Sequence, residues 1–129
     1  MENLFGEVIY SYTRKQAIED GVLIDVTEMA RESGIKFPVA VTSTVYYEYI
    51  VPDDRLIEAG QTVEGRLWDV LWMFRINAQK NPSDIMMFGV LFVMPSGNKS
   101  QLAKEELKAV CGPGDMGEPV ITIMKPEED

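Results

Sequence analysis

The chain has 129 residues, 46% of them hydrophobic and 26% charged, which fits one globular domain with a core that needs neither disulfide nor structural metal. Its 21 acidic and 12 basic side chains leave a net charge of −9, which repels phosphate backbones unless basic residues cluster; no window concentrates them, so direct nucleic acid binding is disfavoured. One cysteine and no histidine exclude an internal disulfide, the usual zinc, haem and iron–sulfur ligand sets, and every Ser-His or Cys-His nucleophile.

The opening MENLFGEVIY has no basic segment ahead of an apolar core, so no signal peptide is expected. No apolar run reaches the roughly 18 residues that would span a bilayer. A cytoplasmic protein without a membrane partner or cofactor is the expectation.

Thr13 and Gln16 stand at capping-box spacing and Gly21 follows as a stop, which predicts a short helix between them. Residues 22–26, VLIDV, form an apolar run of strand length. Asp25 and Glu28 repeat the capping distance ahead of a second helix that stops at Gly34. Residues 38–51 are open to two readings. Their β-branched and aromatic content suits a strand, whereas Val41, Val45, Tyr49 and Ile50 recur at helical spacing, and the helix is preferred. Tyr46, Tyr47 and Tyr49 cannot all face one way in either element, so at least one is exposed. Pro52 with Asp53 and Asp54 marks a break before a short helix over 55–59 that ends at Gly60. With Glu58 those two acids read as an acidic helix start; they lack the oxygen spacing of a calcium loop, and no metal is expected.

The strongest periodicity lies over 63–78, VEGRLWDVLWMFRINA. At 100° per residue Val63, Leu67, Val70, Leu71, Phe74 and Ala78 form one stripe, and Trp68, Trp72 and Ile76 form a second nearly opposite. Two apolar stripes predict a central helix buried on both sides, between a sheet and the N-terminal elements. Residues 85–94, IMMFGVLFVM, are apolar on both alternating faces and predict a buried strand. PSGNKS is a turn by composition. Leu107, Ala109 and Cys111 alternate with Glu106, Lys108 and Val110, as in a half-exposed strand with the cysteine inward, and VITIM over 120–124 is a third strand.

The predicted fold is therefore α+β, one domain over 1–129 with an acidic flexible tail at 126–129. Its N-terminal two thirds are helical, and the long central helix packs on a small, mainly antiparallel C-terminal sheet of about three strands. A meander would put the Leu107 strand in the middle of that sheet, yet its alternating charges suit an edge better than the doubly apolar 85–94 strand does. The strand order therefore stays open.

Three features invite a functional reading. CGPGDMGEP, from Cys111 to Pro119, is glycine-rich, but a strand follows it and its acids repel an anion, so a phosphate cradle is disfavoured against a strand connection. Cys111 has no neighbouring cation and reads as a structural thiol. Trp68 and Trp72 read first as core, yet tryptophans dominate interfaces and pockets, and Arg75 flanks them within stacking reach.

Four blocks carry a resemblance: FGEVIYSYTRKQAIEDGVLIDVTEMARESG (5–34), FPVAVT (37–42), GRLWDVLWM (65–73) and GPGDMGEPVITIMKPEED (112–129). Together they resemble a family of unknown function whose small members occur on bacterial plasmids, phages and integrative elements. The resemblance implies a mobile-element setting and no transferable activity. It marks Tyr12, Thr13, Arg14 and Asp20, then Arg66, Trp68, Asp69 and Trp72, then Asp115 and Glu118, while Cys111 falls just outside the closing block.

The leading expectation is a non-enzymatic accessory protein of a mobile element that binds an unknown protein partner, in its sharper form through an acidic surface that imitates nucleic acid. The alternative is a small-molecule binder or histidine-free enzyme, with a pocket between the central helix and the 112–119 loop lined by Trp68, Asp69, Asp115 and Glu118. A homodimer is expected if an apolar stripe is left over after folding.

Overall fold

The computed structural model describes residues 12–129. Helix α1 (Arg14–Glu19) starts on a complete capping box, in which Thr13 Oγ1 accepts the Gln16 N–H at 3.0 Å and the Gln16 side chain accepts the Thr13 N–H at 2.9 Å. Strand β1 (Leu23–Asp25) leads to α2 (Thr27–Glu32), with the Asp25 carboxylate accepting the N–H of Thr27. Gly34, at φ +99°, turns the chain out of that helix toward β2 (Val39–Thr42).

Residues 38–51 hold both kinds of structure. Val39–Thr42 is strand, and at Thr42 the chain switches to α3 (Ser43–Val45), continued by a wider π-turn at Tyr46–Ile50. The switch sits on one side chain: Thr42 ends β2 and its Oγ1 accepts the Val45 N–H. Tyr49 is buried and stacks on Phe92 at 5.2 Å, while Tyr47 is exposed. Helices α4 (Asp54–Glu58) and α5 (Val63–Lys80) follow, capped by Asp53 and Thr62. Strands β3 (Ile85–Ser96), β4 (Lys99–Pro113) and β5 (Pro119–Met124) complete the fold.

The expected fold needs correction here. The sheet has five strands, not about three, in the order β1-β2-β5-β4-β3, and it is mixed: β2 and β5 run parallel while the other neighbours are antiparallel. The N-terminal two thirds are not helical throughout, since β1 and β2 come from them. The strand order, which the sequence leaves open, follows the meander over the last three strands. β4, with its alternating charges, lies inside the sheet, and the charge-free β3 forms an edge. The pattern could not decide the order because a strand apolar on both faces looks the same whether its second face meets a layer of the fold or solvent.

Strand register divides the sheet into two faces. On one, Val39, Val41, Ile121, Ile123, Ala109, Leu107, Phe88, Val90 and Phe92 form a continuous core, closed by α5 through Leu67, Val70, Leu71 and Phe74. Phe74 meets Phe88 edge-on at 5.8 Å, and each fully buried aliphatic side chain such as Leu71 contributes roughly 1.5–3 kcal/mol of burial. On the other, α1 and the C-terminal residues cover the β2–β5 region. Arg14 reaches Thr122 Oγ1 at 2.7 Å, and Thr42 Oγ1 donates to Glu128 at 2.9 Å.

That second face is open over the β3–β4 hairpin, where Ile85, Met87, Leu91 and Leu102 are exposed. Helix α5 is likewise buried on one side only. Its second stripe faces out, with Trp68 37% and Trp72 40% exposed, so the expected layer of N-terminal elements over that stripe is absent among the described residues.

Candidate functional site

The outward side of α5 gathers the aromatic candidates. Trp68 and Trp72, one turn apart, stack nearly parallel with ring centroids 6.1 Å apart, and the Arg75 guanidinium lies 5.2 Å over the Trp72 ring. Asp69 borders the same surface, its carboxyl raised above the ordinary range by partial burial and pulled back by nearby Arg66. Beside them runs a groove of about 540 Å³ lined by Asp69, Trp72, Met73, Gly89, Leu91 and Lys104, between α5 and the outer edge of β3.

The N-terminal candidates and the loop acids meet on the opposite face, as a clasp. Asp115 accepts the main-chain N–H of Arg14 at 2.8 Å and of Lys15 at 3.0 Å, which satisfies two of the free amides at the start of α1. Those two donors hold its carboxyl below the usual carboxylate range. The Arg14 guanidinium crosses to Thr122 Oγ1 and to the Ile121 carbonyl at 2.8 Å, and burial lowers its pKa. Tyr12 donates its hydroxyl to Asp20 at 2.7 Å, and that hydrogen bond raises the Tyr12 pKa. Glu118 turns back into its own loop and accepts the Met116 N–H at 2.9 Å.

The glycine-rich loop is thus the β4–β5 hairpin connection, with Gly117 at φ +82° and Gly114 closed against the Glu118 main chain. Asp115 ties it to α1. Trp68 and Asp69 lie on one side of the sheet and Asp115 and Glu118 on the other, so these four do not line a common cavity.

A separate cleft of about 700 Å³ opens at the C-terminal half of α5. Ile35, Phe37, Phe74 and Met86 supply apolar walls, and Arg75, Lys36 and the half-buried Cys111 add polar atoms. The Arg75 guanidinium lies against Gly34, where a Cβ would come within 2.8 Å of its Nε.

Sequence reasoning passed over the structural importance of Arg66. It is 3% exposed and donates from Nε to the Tyr49 carbonyl at 2.7 Å and from Nη1 to the Val93 carbonyl at 2.9 Å. Its guanidinium also lies 5.1 Å over the Phe92 ring, and burial lowers its pKa. The available signal was its position at the edge of the inward stripe, one turn from Val63 and Val70, where a buried charge needs partners.

No group of three or more His, Cys, Asp or Glu among the described residues could hold a metal ion. No helix among them is long and apolar enough to cross a membrane. No curated protein and no solved structure matches the chain. A family model does match, across residues 1–129, under the description "Family of unknown function (DUF6573)". The chain, Asp115 clasp and tryptophan face together, belongs to that family of unknown function.

Proposed function

We propose that the chain is a non-enzymatic accessory protein of a mobile genetic element, acting in the cytoplasm by binding another protein through the outward face of α5. The supporting observation is the stacked Trp68–Trp72 pair with Arg75 over it, left in solvent on the longest helix. Tryptophan and arginine are the residue types that most often dominate binding energy at interfaces. The mobile-element setting rests on the sequence blocks over 5–34, 37–42, 65–73 and 112–129. A net charge of −9 suits the sharper form, in which the acidic surface takes a nucleic acid site on the partner. Affinity capture from host lysate with wild type and with W68A/W72A tests it. A specific host protein is expected on wild type and lost from the double variant; capture that ignores the substitution would sink the reading.

A second reading, small-molecule binding, is favoured by the Arg75 cleft. The ion pairs among the described residues join Lys125 to Glu48 and Glu127, and Arg75 is in neither. Two cations, Arg75 and Lys36, against one acid, Asp84, line the cleft beside its apolar walls, which suits a small anion with an apolar body. Titration with an anionic naphthalene dye, against Arg75→Gln, separates the two readings, because the protein-binding one predicts no saturable site in that cleft.

A further inference from the structure

Among the described residues, the outer edge of β3 presents unpaired main chain. Cys111 donates its N–H to the Asp84 carbonyl at 2.7 Å, in the register that pairs Ile85 with Val110. Even-numbered residues of β3 therefore bond to β4, and odd-numbered ones direct N–H and C=O away from it. Two of these odd positions are already engaged, since the Val93 carbonyl accepts from Arg66 and the Ile85 N–H meets Ser83 Oγ. Met87, Gly89 and Leu91 have no main-chain partner at this edge among the described residues.

Edge strands are ordinarily blunted by charges, prolines or bulges. From Ile85 to Met94 β3 has none of the first two, and its pairing with β4 runs without interruption. The same stretch is symmetric about Gly89. Met87 and Leu91, 40% and 58% exposed, lie two residues to either side of it on the open face of the sheet.

We infer that a second copy of this chain pairs antiparallel with β3 about a two-fold axis at Gly89, extending the sheet and covering Trp72 and Met73. This rests on reading the α5 face as a protein-binding surface, and it names the partner seated next to that face. The axis is fixed by what is free. At Gly89 it sets Met87 opposite Leu91 of the other copy, both apolar and outward, and all three free residues find partners. An axis at Leu91 would need the Val93 carbonyl, which Arg66 holds. An axis at Met87 would set Leu91 against Ser83, beyond the strand. Self-pairing of this kind is isologous, so one patch serves both copies. Charge agrees: each molecule carries −9, but the groove beside this edge is lined by one acid, Asp69, and one base, Lys104.

Sedimentation velocity of the full chain tests the inference. Wild type is expected to dimerise at micromolar concentration. M87K/L91K sets like charges opposite one another and should weaken the dimer about tenfold or more, whereas M87K/L91E sets opposite charges together and should keep it. The second variant carries as many substitutions as the first, so general damage to the fold would affect both. A wild-type monomer throughout that range, or the same dimerisation by both variants, overturns the inference. So does a dimer that forms only once residues 1–11 are removed, because the chain's own N-terminal segment would then occupy the edge. Host capture that ignores Trp68→Ala while the dimer persists would remove the proposed function and leave the self-pairing standing.

Discussion

Asp115, in the β4–β5 turn, accepts the main-chain N–H of Arg14, a residue 101 positions earlier in the chain, at 2.8 Å. This contact seats α1 on the second face of the sheet. Replacing Asp115 by alanine frees two amides at the start of α1, and a lower thermal midpoint at neutral pH is expected. The pH dependence follows from the sign. The carboxyl is depressed in the folded state, so its stabilisation is fully present above the unfolded value near 3.9 and disappears as pH falls through the lower folded value. Wild type and D115A should therefore converge in acid, below about pH 4; a gap that widens there would contradict the role assigned to Asp115.

Arg66 is expected to resist conservative replacement. Its fork serves the carbonyls of Tyr49 and Val93 at once while the guanidinium plane faces Phe92, and an ammonium cannot reproduce that geometry. Arg66→Ala should cost about 3 kcal/mol, because two carbonyls lose their donor inside the fold, and Arg66→Lys should recover less than half of it. Urea denaturation measures both; full recovery by lysine would show that charge alone matters at this position.

Two glycines should answer alanine in opposite ways. Gly34 has φ +99° and lies against the Arg75 side chain, so Gly34→Ala is both strained and crowded and should cost about 1–2 kcal/mol. Gly112 has an ordinary φ and no atom within 4 Å of where a methyl would sit, so Gly112→Ala should be neutral or slightly stabilising, within about 1 kcal/mol. Thermal melts of the two variants side by side check the contrast.

The two stripes of α5 should separate cleanly in stability. Leu71→Ala empties a fully buried site and should cost about 2–5 kcal/mol, whereas Trp68→Ala removes a side chain 37% exposed and should cost about 1 kcal/mol. Acrylamide should quench both tryptophans readily in the folded protein as a monomer. Quenching that rises markedly on dilution would report Trp72 leaving a self-paired surface.

Local features of the fold were legible in the sequence where their cause was local. The Thr13-x-x-Gln16 box, the α5 periodicity and the turn over 114–118 each depend on residues a few positions apart. Strand β2 was hidden because Thr42 ends a strand and starts a helix within one short run, and helical spacing beyond it coloured the whole segment. The parallel pairing of β2 with β5 joins residues some eighty positions apart and leaves no local trace. Much the same holds for the site. The aromatic pair and Arg75 could be placed on one side of a helix by counting, but the partners of Asp115 and Arg66 belong to other elements, so their roles as clasp and carbonyl donor emerge only once the chain is folded.

The parallel β2–β5 pair also has a kinetic side. Val39, Ala40 and Val41 lie beside the central strand and are wholly buried, yet that central strand, Pro119–Met124, is made last of the described elements. Until it emerges, β1 and β2 form a lone two-stranded ribbon, which is marginal in water, while β3 and β4 can zip up through their own short turn. Folding of this topology is thus a C-terminal event: a chain cut between Pro113 and Pro119 keeps a hairpin and a helix with no central strand to join them. Synthesis of the last strand sets the earliest moment at which the apolar centre of the N-terminal half leaves solvent.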